Sequence, residues 1–452
     1  MDLKKIAADI PDYQTFLTVD ELTASNHRLV EEYPNVASIK VIGKTRKGDP
    51  IELLTIEGGP EQAFLFGGPH PNEPIGCMTI EYLSRHLCED ESLRQELGYT
   101  WHFIKSIDAD GMRLNEGWFG GPFTPSNYAR YFYRPASYEQ VEWTFPIDYK
   151  TLKSNDPLPE TKALMQVIDE TKPKFLYSLH NAGFGGVYYY VSDDCPPLYD
   201  TFHEIPNWFD LALDLGEPEM TIAEPYAPAI YRMLTSTDMY DHLQRNGVND
   251  PATIMGFKAS SAQYATQYNS FFLVVEMPYF DEPRVNDQTL TTTLRRDAIL
   301  KSMDIQLEYD KWIINQNEIV EGALSLNTPV RRALNDFIKM GSQYREADRQ
   351  WVQTAEETNR PASQAELFSN LYTSRFYKLL NLGLFTRMLD EEIAEGNKNK
   401  LIQSVQELAF SRLQEESMAL ENELDYRAIP IRSLVGMQTC AGLATATYLN
   451  NM

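Results

Sequence analysis

The chain has 452 residues, 43% of them hydrophobic and 12% aromatic, which is ample for a large core and long for one domain at roughly 150 residues each. Lys and Arg number 40 against 65 Asp and Glu, a net charge of −25, which argues against nucleic acid or an anionic membrane as partner because both demand a basic face. Cys77, Cys88, Cys195 and Cys440 show no CxxC spacing, the first residues lack the apolar core of a signal peptide, and no stretch approaches the ~20 apolar residues of a membrane span. The expectation is a soluble, reduced, cytoplasmic protein.

In chain order, residues 1–294 alternate short apolar runs with helical patterns, the mark of an α/β domain with helices on both faces of a mixed, mostly parallel sheet. Strands are predicted at 38–42, 51–56, 63–66, 101–107, 174–179, 187–191 and 271–275; several are apolar at successive positions, as strands buried between two helical layers are. Ile75, Met78, Tyr82, Leu83 and Leu87 recur at helical spacing. From 295 to 452 the pattern is helical almost throughout and reads as an all-α domain or extension. Thr328-Pro329 opens one helix, which Gly341 is expected to end; Ser363 to Glu366 has capping-box spacing; Leu401, Val405, Leu408 and Leu424 mark another helix.

Chemistry concentrates at three strand ends. Phe66-Gly67-Gly68-Pro69-His70-Pro71-Asn72-Glu73 sets an imidazole and a carboxylate three positions apart in a Gly/Pro turn, two of the three protein ligands a catalytic zinc requires. Of the remaining histidines, His27 and His86 fall on polar helix faces, His102 sits within a strand, and surface positions are the expectation for His203 and His242. His180 differs, because it closes the strand 174–179 and is followed by a turn at Asn181-Ala182-Gly183. Glu276 ends the apolar strand 271–275; a lone carboxylate there is costly to bury, whereas beside a metal cleft the same placement suits a general base.

These features together resemble the zinc carboxypeptidases, the carboxypeptidase A-type metallopeptidases, over about residues 10–285. The motifs in order are 42–51 (Ile-Gly-Lys-Thr-Arg-Lys-Gly-Asp-Pro-Ile), the His70/Glu73 pair, the Asp108-Ala109-Asp110-Gly111 turn, the helix and strand 157–181 and Val274-Val275-Glu276. The resemblance implies that His70, Glu73 and His180 bind Zn2+, that Glu276 deprotonates a water attacking a carbonyl, and that an arginine steadies the developing oxyanion. Arg134 is preferred for that last role, followed by Arg130, with Arg113 a third candidate.

The family grips a terminal carboxylate with an Asn-Arg pair; the equivalent places here hold Glu142 and Trp143, and a rival alignment over 111–117 also lacks the arginine. Cleavage of an ordinary free C-terminal residue is therefore not the expectation. Tyr264 matches the family's substrate-covering tyrosine, and Asn181 and the run Tyr188-Tyr189-Tyr190 are cleft-lining candidates. The leading reading is a zinc hydrolase of peptide or small-amide substrates. A fold-related deacylase of N-acyl amino acids and a catalytically silent binding protein are the alternatives, and the helical region is a candidate for homo-oligomerisation or for covering the cleft.

Overall fold

In the computed structural model of the chain, residues 1–220 and 222–452 are described, with side chains at 342–344, 346 and 347 excepted. Nine strands pair into one sheet among the described residues. They are β1 (Ala37–Lys44), β2 (Pro50–Ile56), β3 (Glu61–Gly67), β4 (Tyr99–Ile104), β5 (Phe175–Leu179), β6 (Tyr188–Val191), β7 (Pro225–Ala227), β8 (Ile230–Arg232) and β9 (Phe271–Glu276). Their spatial order is β1-β2-β4-β3-β5-β9-β6-β8-β7. The centre, β4-β3-β5-β9, is parallel and the flanks are mostly antiparallel.

The apolar runs become central strands because both sheet faces are covered. Ala63 and Leu65 of β3, Tyr177 and Leu179 of β5, and Leu273 and Val275 of β9 enter one core cluster. Their alternates Phe64, Phe66, Leu176, Phe272 and Val274 enter the other, as a period of two requires. The first layer holds α1 (Val19–Glu32) and α2 (Ile75–Glu89); the second holds α3 (Pro159–Thr171). A capping box between Thr18 and Glu21 starts α1, and α4 (Pro196–Trp208) adds Leu198, Phe202 and Ile205 to the first layer.

The helical region comprises α5 (Arg295–Val320), α6 (Pro329–Thr354), α7 (Ser374–Ala394), α8 (Lys400–Glu423) and α9 (Ile431–Asn450). Thr328 caps α6 and Pro329 takes its first position, but the helix runs through Gly341 to Thr354. A helical glycine costs only about 1 kcal/mol, and Val330, Ala333, Leu334 and, beyond the glycine, Val352 are buried along the helix. Ser363 and Glu366 form the expected capping box. The core crosses residue 294 without interruption: Val435, Cys440, Ala441 and Leu443 of α9 share the cluster of Leu65, Tyr177 and Leu273. All four cysteines are buried free thiols, and no helix of the described residues is long and apolar enough to cross a membrane. His242, expected at the surface, is buried, because the helix Ser236–Arg245 turns that face inward, toward Asn246 and Asp348.

Candidate metal centre

β3, β5 and β9 are neighbours, so their carboxyl ends open into one space. After β3 the chain turns at Gly68, whose φ of +62° is a left-handed conformation that disfavours any side chain. The turn closes with Glu73 N–H donating to the His70 carbonyl at 3.0 Å. Then α2 begins tight against the end of β5: a Cβ on Gly76 would stand 2.5 Å from Leu179 Cβ and 2.8 Å from its carbonyl oxygen. This approach brings the His70/Glu73 turn to His180. The Tyr279 hydroxyl lies 2.7 Å from the Asn72 carbonyl and 3.1 Å from Asn181 Oδ1, joining the two turns from the other side. Behind them, Gln438 of α9 donates to the His180 carbonyl at 2.6 Å and accepts from Thr79 of α2 at 2.8 Å.

His70, Glu73 and His180 are buried and converge. His70 Nδ1 and His180 Nδ1 are 3.1 Å apart, His180 Nδ1 is 3.1 Å from Glu73 Oε2, and His70 Nδ1 is 3.2 Å from both Glu73 oxygens. A tetrahedral ion with bonds of about 2.0–2.1 Å holds its donors roughly 3.3 Å apart, so this donor set fits zinc in chemistry and in spacing. Burial and Arg134 push His70 down to about 3, which keeps the imidazole neutral, as a ligand must be. Burial works against the Glu73 charge, but the two histidines beside it hold its carboxyl below the usual range.

The other predicted residues divide. Arg134 joins the centre, with Nη1 3.3 Å from Glu73 Oε1 and Nη2 2.9 Å from the His70 ring nitrogens. The Trp143 indole N–H lies 3.2 Å from His70 Nε2. Glu276 is 9% exposed, no hydrogen bond among the described residues reaches its carboxylate, and burial with the nearby Glu219 and Glu73 carboxylates raises its pKa well above the usual value, Arg134 opposing. Asn181 is adjacent through its contact with Tyr279. Glu142 is buried behind His180: its Oε1 accepts from the Ser261 N–H at 3.0 Å and the Ser261 hydroxyl at 2.5 Å, its Oε2 accepts from Ser178 at 3.2 Å, and Ser178 Oγ is 2.8 Å from His180 Nε2.

Three predicted residues are committed elsewhere. Arg130 pairs with Asp390 and lies over the Tyr131 and Phe410 rings, tying the helix Pro125–Tyr131 to α7 and α8. Arg113 bridges Asp20 and Asp49 at the surface. The Tyr264 hydroxyl bonds Asp169 and its ring packs on Phe145. Nothing in the sequence points to Glu219, which hydrogen-bonds Tyr188, or to Tyr377 of α7, whose hydroxyl oxygen accepts the Gly183 N–H at 3.3 Å. Neither lies in a motif: Glu219 is in an irregular loop, and Tyr377 is one aromatic among many on a helix.

The model of the zinc carboxypeptidase family matches residues 22–279, more than half of the chain. Carboxypeptidase B of Astacus astacus is 25% identical over 105 residues, which are 22% of this chain and 35% of that protein, so the match spans about a third of that relative's length. Among solved structures, carboxypeptidase A of Helicoverpa armigera is 14% identical, with 78% of this chain and 79% of that one covered at a TM-score of 0.36. A metallo-carboxypeptidase of Burkholderia cenocepacia is 15% identical, with 58% and 60% covered at 0.34.

Proposed function

Because the chain belongs to the zinc carboxypeptidase family, we propose that it is a zinc-dependent hydrolase of peptide or small-amide bonds. The observation that carries this reading is the convergence of His70, Glu73 and His180 at the ends of β3 and β5, with Glu276 at the end of the adjoining β9. Bound there, zinc supplies Lewis acidity toward a carbonyl and eases the ionisation of water. Glu276, ionised, takes the proton of the attacking water and hands it to the leaving nitrogen. Arg134 offers its guanidinium to the oxygen that gains charge as the carbon becomes tetrahedral.

Glu142 and Trp143 support a substrate that is not held by a free carboxylate, since a buried acid with three donors already converging on it stands at the place of the family's gripping asparagine and an indole at that of its arginine. That observation also favours, as a second reading, a deacylase acting on small amides. A hydrolysis panel of peptides with free and amidated C-termini and of N-acyl amino acids, with and without chelator, separates the two. Chelator-sensitive cleavage that Glu276→Gln lowers at least ~100-fold while zinc stays bound is the expected result. Full activity in that variant would refute the assigned base, and no chelator-sensitive cleavage of any substrate would refute the hydrolase reading.

A further inference from the structure

α8 carries more apolar surface than the fold covers. Ile402, Val405, Ala409, Leu413 and Leu420 are buried in the core cluster they share with α7, and they recur at helical spacing on one side of the helix. On the opposite side Leu401, Leu408 and Met418 are 52%, 48% and 61% exposed. Ser404, Ser411, Glu415 and Asn422 are exposed between and beyond them. Positions 401, 404, 408, 411, 415, 418 and 422 thus advance by three and four along the whole helix, the spacing of a coiled-coil seam, and here the seam faces solvent.

The seam complements its own reverse. About a two-fold axis between positions 408 and 411, an antiparallel copy sets Leu401 against the partner's Met418, Leu408 against the partner's Ser411, and the two Leu408 side chains on either side of the axis. The charges agree with that direction. Lys398 and Lys400 stand exposed at the start of α8 with no ion pair among the described residues, whereas Glu415, Glu416, Glu421 and Glu423 crowd its end. Antiparallel packing brings Lys400 beside the partner's Glu421; parallel packing would set basic end on basic end and acidic on acidic. A net charge of −25 on each copy opposes any self-contact without such local pairing. Beside the seam, α5 runs antiparallel to α8, with the Tyr309 hydroxyl bonding Glu416 at 2.7 Å and Arg412 lying over the Trp312 ring at 4.6 Å. Ile319, two turns past Trp312 on the same face, comes near the Leu401 end; it is 51% exposed and widens the apolar strip.

We propose that the protein is a two-fold dimer in which the exposed face of α8 packs antiparallel on the same face of a second copy. The interface involves no residue of the metal centre, so it stands apart from the hydrolase reading. It assigns a task to the region beyond residue 279, which the family model does not match. One helix pair is a small contact, and a dissociation constant in the micromolar range is the expectation.

Sedimentation velocity of the full chain between ~1 and ~100 μM should show the mass rising from 51.8 kDa toward twice that value. Leu408→Glu, which sets like charges on both sides of the axis, should weaken the dimer at least ~10-fold, and Leu401→Glu, which meets the partner's acidic end, should do the same. Both changes are on solvent-facing side chains, and urea midpoints near wild type check that the fold is kept. Lys400→Glu should weaken it roughly 2- to 10-fold, the size of two exposed ion pairs lost. Direction is read from a spin label on Asn422→Cys, the native cysteines being buried. The rise of the helix and the spacing of packed helices put the two labels roughly 40 Å apart in the antiparallel dimer and about 10 Å apart in a parallel one. A monomer at every concentration, or a dimer that Leu408→Glu and Leu401→Glu leave intact, would overturn the interface. Labels near 10 Å, or a dimer untouched by Lys400→Glu, would overturn the antiparallel pairing of charges on which it rests.

Discussion

Glu142→Gln changes one oxygen for an NH2 group and almost no volume, yet the structure predicts a large loss of zinc affinity. Three donors aim at the Glu142 carboxylate: the Ser261 N–H, the Ser261 hydroxyl and the Ser178 hydroxyl. With Ser178 donating to Glu142, its oxygen is left to accept from His180 Nε2–H at 2.8 Å, which puts the lone pair of His180 on Nδ1, the atom facing His70 and Glu73. A glutamine keeps its one acceptor for Ser261, whose N–H cannot turn away, and then presents an NH2 to Ser178. The hydroxyl must reverse and donate to His180 Nε2, the ring proton moves to Nδ1, and the metal-facing lone pair is gone. Partners that orient a ligand histidine are worth about 10–100-fold in metal affinity, and that is the expected loss. Competition for zinc against a chromophoric chelator measures it, and urea unfolding of the metal-free proteins checks that the fold survives. Wild-type zinc affinity in a folded Glu142→Gln would refute the hydrogen-bond direction assigned here, whereas Glu142→Asp, if it still reaches Ser178, should stay near wild type.

Two further predictions concern stability. Burial lowers His102 from 6.5 to about 4, so the folded state binds its proton less readily than the unfolded state. The stabilisation is present above pH 6.5 and is lost as pH falls toward 4, by roughly 3 kcal/mol in all. Urea midpoints between pH 4 and 7 should fall less steeply for His102→Gln than for the wild type, and parallel curves would contradict the assignment. Gly76→Ala puts a methyl group against Leu179 and its carbonyl oxygen, an overpacking that costs about 1–3 kcal/mol. Because it separates the His70/Glu73 turn from His180, zinc retention should fall alongside stability; unchanged retention would show that the turn moves independently of α2.

Much of the centre was legible because its residues stand where a periodic pattern stops. His180 and Glu276 each follow a run of strand residues, and His70 and Glu73 sit in a Gly/Pro turn that no strand or helix can continue through. Arg130 and Arg134 could not be ranked from spacing alone. Arg130 falls inside the helix Pro125–Tyr131 on the face that meets α7 and α8, while Arg134 lies just beyond it and reaches the triad. The position of Glu142 was read for the charge it removes from the substrate side; its bonds to Ser178 and Ser261 join residues 36 and 119 positions away, which no local pattern encodes. Tyr264 and Gly341 show the limits of local rules: an exposed Asp169 captures the tyrosine hydroxyl, and packing carries α6 past a residue that favours stopping.

The Gln438 side chain grips α2 through Thr79 and the end of β5 through the His180 carbonyl, so its one amide holds together segments that are 101 residues apart in the chain. Residues 70 to 180 leave the ribosome long before residue 438 does. A nascent chain therefore carries His70, Glu73 and His180 while still lacking the clasp that joins their two segments, and the full set of contacts around them must wait for α9 to dock.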